Sequence, residues 1–130
     1  MNDQNFADYW LEMSAYDFET AEAMLQSGRF LYVGFMAHQS VEKALKAFHW
    51  HSIKSEPPYT HDLWRLAKIA GLSGELNEEM SDLLDELQPL NIEARYPGDK
   101  DQLMRALTEE YCHHLLKRVK ELNEWIKTRF

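Results

Sequence analysis

With 130 residues, 45% of them hydrophobic and 28% charged, the chain has the composition of one soluble globular domain, large enough to bury a core without disulfides or metal. Its formal net charge of −8 disfavours general coating of a polyphosphate backbone, so any nucleic-acid contact needs a local basic patch. No apolar run approaches the ~18–20 residues of a bilayer span, which argues against a membrane protein.

The start, MNDQNFADYW, is acidic and aromatic, unlike a secretory signal, and the lone Cys112 suits a reducing compartment, so a cytoplasmic location is expected. From Asp3 to Gln26 the apolar positions Phe6, Trp10, Met13, Ala21, Met24 and Leu25 recur at three- and four-residue spacing, which predicts a long amphipathic helix. Ser27-Gly28 ends it, because glycine accepts the left-handed conformation that closes a helix. The short turn sends the next helix back antiparallel. That second helix runs from about Phe30 to His51, with Val33, Ala37, Val41, Ala44, Ala47 and Phe48 expected on its buried side.

Ser52 to Tyr59 contains Pro57-Pro58, which removes two backbone donors and makes this segment a connector. Thr60 is the expected N-cap of a third helix over residues 61 to about 70, with His61 in its first turn. Gly71 to Gly74 breaks the chain again. Leu76, Met80, Leu83, Leu84 and Leu87 then form the apolar stripe of helix four, which Pro89 stops or kinks. Residues Leu90 to Lys100 show no helical period and contain the turn signal Pro97-Gly98. Helix five is expected from about Asp101 to Thr128 on the spacing of Leu103, Leu107, Tyr111, Leu115, Val119, Leu122 and Ile126. The fold class is therefore all-α, an up-and-down bundle of four to five mostly antiparallel helices.

On helix two, Gln39, Glu42, Lys43 and Lys46 stand at spacings that place them on neighbouring turns. They read either as a polar groove, with lysines for phosphate and Gln39 or Glu42 for a base, ribose or water, or as a solvated face with one weak Glu42–Lys46 pair. His61 is a neutral ligand contact or a packing residue. Arg95-Tyr96-Pro97 combines a guanidinium fork with an aromatic face, suited to a phosphate or a base, or to tying the link down. Glu110-Tyr-Cys-His113 has the Glu-x-x-His spacing of di-iron bundles, but no second copy of the motif exists. One of His113 and His114 should point inward. Glu75, Glu79, Asp82 and Glu86, opposite the leucine face of helix four, read either as a carboxylate row similar to those with which all-α nucleotide pyrophosphatases hold magnesium for hydrolysis, or as the polar face of an ordinary amphipathic helix. No metal or other cofactor is expected.

The run A-x-x-M-L-x-S-G-R-F at Ala21 to Phe30, Q-S-V-E-K-A-L-K-A at Gln39 to Ala47, T-H-D-L at Thr60 to Leu63 and A-R-Y-P at Ala94 to Pro97 together resemble a prokaryotic HEPN domain. This helical family is named for higher eukaryotes and prokaryotes and for nucleotide binding. The resemblance implies a bundle that usually forms a homodimer, is often paired with a minimal nucleotidyltransferase, and in many members serves in toxin–antitoxin pairs. It implies a nucleotide- or partner-binding module using Gln39, Lys43, Lys46, His61, Arg95 and Tyr96. The ribonuclease members carry Arg-x4-6-His. Here the window after Arg95 where the histidine should fall holds Lys100, Asp101 and Gln102, and seven residues separate Arg105 from His113. Metal-independent RNA cleavage by Arg105 and His113 is the alternative, and RNA is a partner only under it.

Overall fold

The computed structural model describes residues 2–91 and 97–130. The molecule is built on a helical hairpin. Helix α1, Asp3–Gln26, starts where the Asn2 side chain accepts the backbone N–H of Asn5, and it ends at Ser27. Gly28 then takes a left-handed φ of 76°. Its N–H bonds to the Leu25 carbonyl, and that of Arg29 to the Met24 carbonyl. This doubled closure satisfies the last carbonyls and turns the chain sharply into α2, Phe30–Ser52. The two helices lie side by side, joined by reciprocal bonds: Ser14 Oγ donates to the Ser40 carbonyl at 2.7 Å, and Ser40 Oγ to the Ser14 carbonyl at 2.9 Å.

Helix α2 is the central element. Val33, Ala37, Val41, Ala44, Ala47 and Phe48 are all buried, as the periodicity requires. Gly34 lets the neighbours approach closely, since a Cβ there would stand 3.1 Å from Leu107 Cδ1. After α2, Lys54 adopts a left-handed φ of 62° and the chain enters the proline connector. Helices α3, Leu63–Ile69, and α4, Glu78–Leu87, follow, with 3-10 turns at Ser73–Glu75 and Gln88–Leu90. Helices α5, Pro97–Ala106, and α6, Glu109–Lys127, complete the bundle. Among the described residues there are six α-helices and no strand. None is long and apolar enough to cross a membrane.

Helix α6 runs parallel to α2, since Cys112, Asn123 and Phe130 meet Phe30, Ser40 and Phe48 in the same order along the chain. Asn123 Nδ2 of α6 donates to Ser40 Oγ at 3.0 Å, and Phe130 packs edge-on against Phe48, with ring centroids 5.7 Å apart.

Three sequence expectations shift. Helix three starts at Leu63, since Asp62 and not Thr60 supplies the cap: its carboxylate accepts the N–H of Arg65. His61 therefore precedes the helix. The single helix expected over 101–128 is divided, because Leu107 buries into the core and the Thr108 hydroxyl caps a new helix by accepting the N–H of Tyr111. Pro97-Gly98 opens α5 in place of a turn: proline at a first helical position sacrifices only an N–H that has no intrahelical partner.

Candidate functional site

At the centre of α2 the carboxylate of Glu42 is only 3% exposed. A buried carboxylate is costly unless paired and hydrogen-bonded, and three side chains meet this one. Lys46, one turn on, donates to Oε2 at 2.9 Å. His61, from the end of the connector, places Nδ1 2.8 Å from Oε1. Carboxylate oxygens only accept here, so His61 Nδ1 carries the proton.

His38, one turn before, places Nδ1 3.9 Å from the same Oε1. Its Nε2 is 3.1 Å from the His61 backbone carbonyl and must donate to it. In a neutral His38 ring, Nδ1 is therefore a bare acceptor facing a carboxylate, and it has no hydrogen-bond partner among the described residues. Burial chiefly depresses the pKa of His38, against the pull of Glu42 and, after it, of the neighbouring Gln39 side chain.

The segment bearing His61 is held from its other side as well. The Gln88 side-chain carbonyl accepts the N–H of Leu63 at 2.8 Å, and its amide donates to Asp62 Oδ1 at 3.0 Å. The connector end is thus clamped between α2 and the end of α4.

Lys46 has a second neighbour. Its ammonium lies 5.4 Å from the centre of the Trp10 ring, within cation–π reach of ~6 Å. Beyond it opens a cavity of about 340 Å3 whose walls are Trp10 of α1, Trp50 of α2 and the connector residues Pro57 to Tyr59. Phe6 stacks on Trp50, with centroids 4.4 Å apart and an interplanar angle of 17°. The arrangement offers flat aromatic faces next to one fixed cation, a combination suited to a planar anion.

The expected polar stripe does not act as one face. Lys43 turns to α1 and pairs with Asp17, which is 4% exposed, so it ties the hairpin together. Gln39 is half-buried, its side-chain carbonyl oxygen without a partner among the described residues. Lys46 and His61 converge on Glu42. Arg95 and Tyr96 lie outside the described residues. The solvated-face reading fails for Glu42 because its carboxylate is buried.

Arg105, in the last turn of α5, and His113, on α6, are both exposed, and neither side chain bonds to another described residue. His114 is exposed too, so the expected inward histidine is corrected: Cys112, Leu115 and Leu116 fill the inward positions of that stretch. Burial pushes the Cys112 thiol up to about 11.

A larger cleft of about 540 Å3 separates α4 from α6. Its central charge is already satisfied: Glu86 accepts from Arg118 Nη1 at 3.0 Å, from Nη2 at 2.5 Å and from the Tyr111 hydroxyl at 2.8 Å. The Arg118 bonds hold the Glu86 carboxyl below its ordinary range, while burial, then the bond to Glu86, push Tyr111 up to about 12. The helix-four carboxylate row also divides, since Glu75 precedes the helix and pairs with Arg129 at 3.2 Å. Among the described residues no group of three or more His, Cys, Asp or Glu side chains is placed to hold a metal ion.

Sequence reasoning passed over His38, Trp10 and Trp50. The signal was present in the four-residue spacing of His38, Glu42 and Lys46, which stacks them on successive turns of one face.

A HEPN domain family model matches residues 7–129. No curated protein matches the chain. Among solved structures, the chain is similar to the crystal structure of TT1696 from Thermus thermophilus, with a TM-score of 0.80 and 21% sequence identity over 100% of both chains. At that identity the likeness is one of fold.

Proposed function

The chain belongs to the HEPN domain family, and from that premise we propose that it is a nucleotide-binding module whose ligand phosphate meets Lys46 and His61. The observation that carries this reading is the meeting of Lys46 and His61, from separate segments, on the buried carboxylate of Glu42 beside an aromatic-walled cavity. Glu42 holds the ammonium and the imidazole in fixed positions, so little side-chain entropy remains to be lost on binding. A phosphate would accept from the Lys46 N–H groups that Glu42 leaves unused at the cavity wall, and the base would lie against indole. Base–aromatic stacking is worth about 1–3 kcal/mol per base.

Calorimetric titration with nucleoside monophosphates tests the reading. Saturable heat is expected, weakened at least about tenfold by Lys46→Met, which keeps the apolar stem and removes the charge. No heat with any nucleotide at millimolar concentration would overturn it.

Homodimerisation, a nucleotidyltransferase partner and a place in a toxin–antitoxin pair belong to the same proposal on family resemblance. Light scattering of the purified chain and its co-purification with a co-expressed nucleotidyltransferase test them. A monomer that retains no partner removes that part and leaves the nucleotide reading standing.

A further inference from the structure

The cavity next to Lys46 carries two charges on an otherwise aromatic and prolyl lining: Lys46 itself and Glu56 of the connector. Lys46 is already paired with Glu42 at 2.9 Å and offers a ligand its remaining N–H donors, whereas the carboxylate of Glu56 is exposed. An anionic group is drawn to Lys46, flat rings to the indoles, and hydrogen-bond donors to the carboxylate of Glu56. The volume of about 340 Å3 sits at the lower end of the ~300–1,000 Å3 range of small-molecule pockets, enough for one nucleoside-sized group and too little for a stacked oligonucleotide. Tyr59 stands at the same cavity with its side chain wholly exposed, free to close over a bound ring.

Among the standard bases, guanine alone presents two adjacent donors, N1–H and the 2-amino group, on its pairing edge. A carboxylate accepts both at once in a bidentate contact. Adenine and cytosine set a ring acceptor beside the amine, and uracil sets its single donor between two carbonyls, so each would turn a lone pair toward Glu56.

We propose that the cavity bounded by Trp10, Trp50 and residues Glu56 to Tyr59 is the base subsite for a single guanine nucleotide, with its phosphate on Lys46 and its donor edge on Glu56. The inference rests on the nucleotide reading above and names the class of nucleotide. It leaves His61 as a phosphate contact outside the base subsite.

Titration with GMP, AMP and UMP, read by tryptophan fluorescence and calorimetry, tests it on the wild type, Glu56→Gln and Tyr59→Ala. Both substituted side chains are exposed, so neither change removes a core contact. GMP should bind about tenfold tighter than AMP or UMP, the discrimination of one good bidentate pair. Glu56→Gln should abolish that preference by weakening GMP and strengthening AMP, since a carboxamide offers adenine a donor beside an acceptor, and Tyr59→Ala should weaken all three. Nucleotides that bind without base preference, or with affinities indifferent to both substitutions, would overturn the subsite and leave the nucleotide reading intact. Absence of binding by all three nucleotides would overturn both.

Discussion

Glu42 and His61, nineteen residues apart in the chain, meet at 2.8 Å between Oε1 and Nδ1, and this contact fixes the connector to the central helix. The same carboxylate holds Lys46 through its other oxygen, so one buried group sets both the strap beside the aromatic cavity and the cation at its wall. The sequence distance is bridged because the chain turns after Pro58, where the Thr60 N–H bonds to the Pro58 carbonyl at 2.9 Å, and Gln88 clamps the connector's far end.

Removing that carboxylate should cost more stability than a surface ion pair would. Glu42→Ala leaves a largely buried ammonium and an imidazole N–H without their acceptor, and breaking a buried pair from one side costs about 3–5 kcal/mol. Glu42→Gln retains one acceptor and should lose roughly half as much. Urea unfolding measures both; a loss below about 1 kcal/mol for the alanine variant would mean the cluster relaxes to solvent freely.

Lys43 should matter for folding and leave ligand affinity alone. It faces α1, where its ammonium neutralises Asp17 in a nearly closed site. Lys43→Ala is expected to destabilise by about 3 kcal/mol, because a buried carboxylate is left unpaired. Nucleotide affinity of the folded variant should stay within about twofold of wild type. A large affinity loss without destabilisation would put Lys43 back at the ligand.

Stability should fall as the solution becomes mildly acidic. Burial lowers the folded pKa of His38 below the ordinary 6.5, and burial lowers that of His49 as well. The unfolded chain then binds more protons than the folded one, so their contribution is fully present above about pH 6.5 and is lost as pH drops through that value toward the depressed folded ones. Melting temperature should be level between about pH 8 and 7 and decline toward pH 5, with a shallower decline in His38→Gln. Equal slopes for the two proteins would show that His38 takes up its proton without penalty.

Much of the scaffold was legible because its signals are local. The period of apolar residues and the Ser27-Gly28 stop define α1 and α2 without reference to anything distant. The division of the last helical stretch was missed because Leu107 continues the apolar period straight through the break, and only the hydroxyl cap of Thr108 marks a new start. At the site, spacing alone grouped Lys43 with Lys46, yet the two diverge: a difference of three residues turns one toward Asp17 and the other toward Trp10. The burial of Glu42 has no local signature either, since it depends on a connector that returns over the helix. The Trp10 wall likewise exists only once α1 folds back along α2.

The most direct test is to follow the Lys46 side-chain and His61 ring resonances by NMR while GMP is titrated into the wild-type protein. Both should shift saturably together, with the Lys43 side chain, held by Asp17, unmoved. If GMP saturates the protein while Lys46 and His61 stay where they were, or if neither GMP, AMP nor UMP binds, the cluster on Glu42 is a device of the fold and the proposed site is wrong.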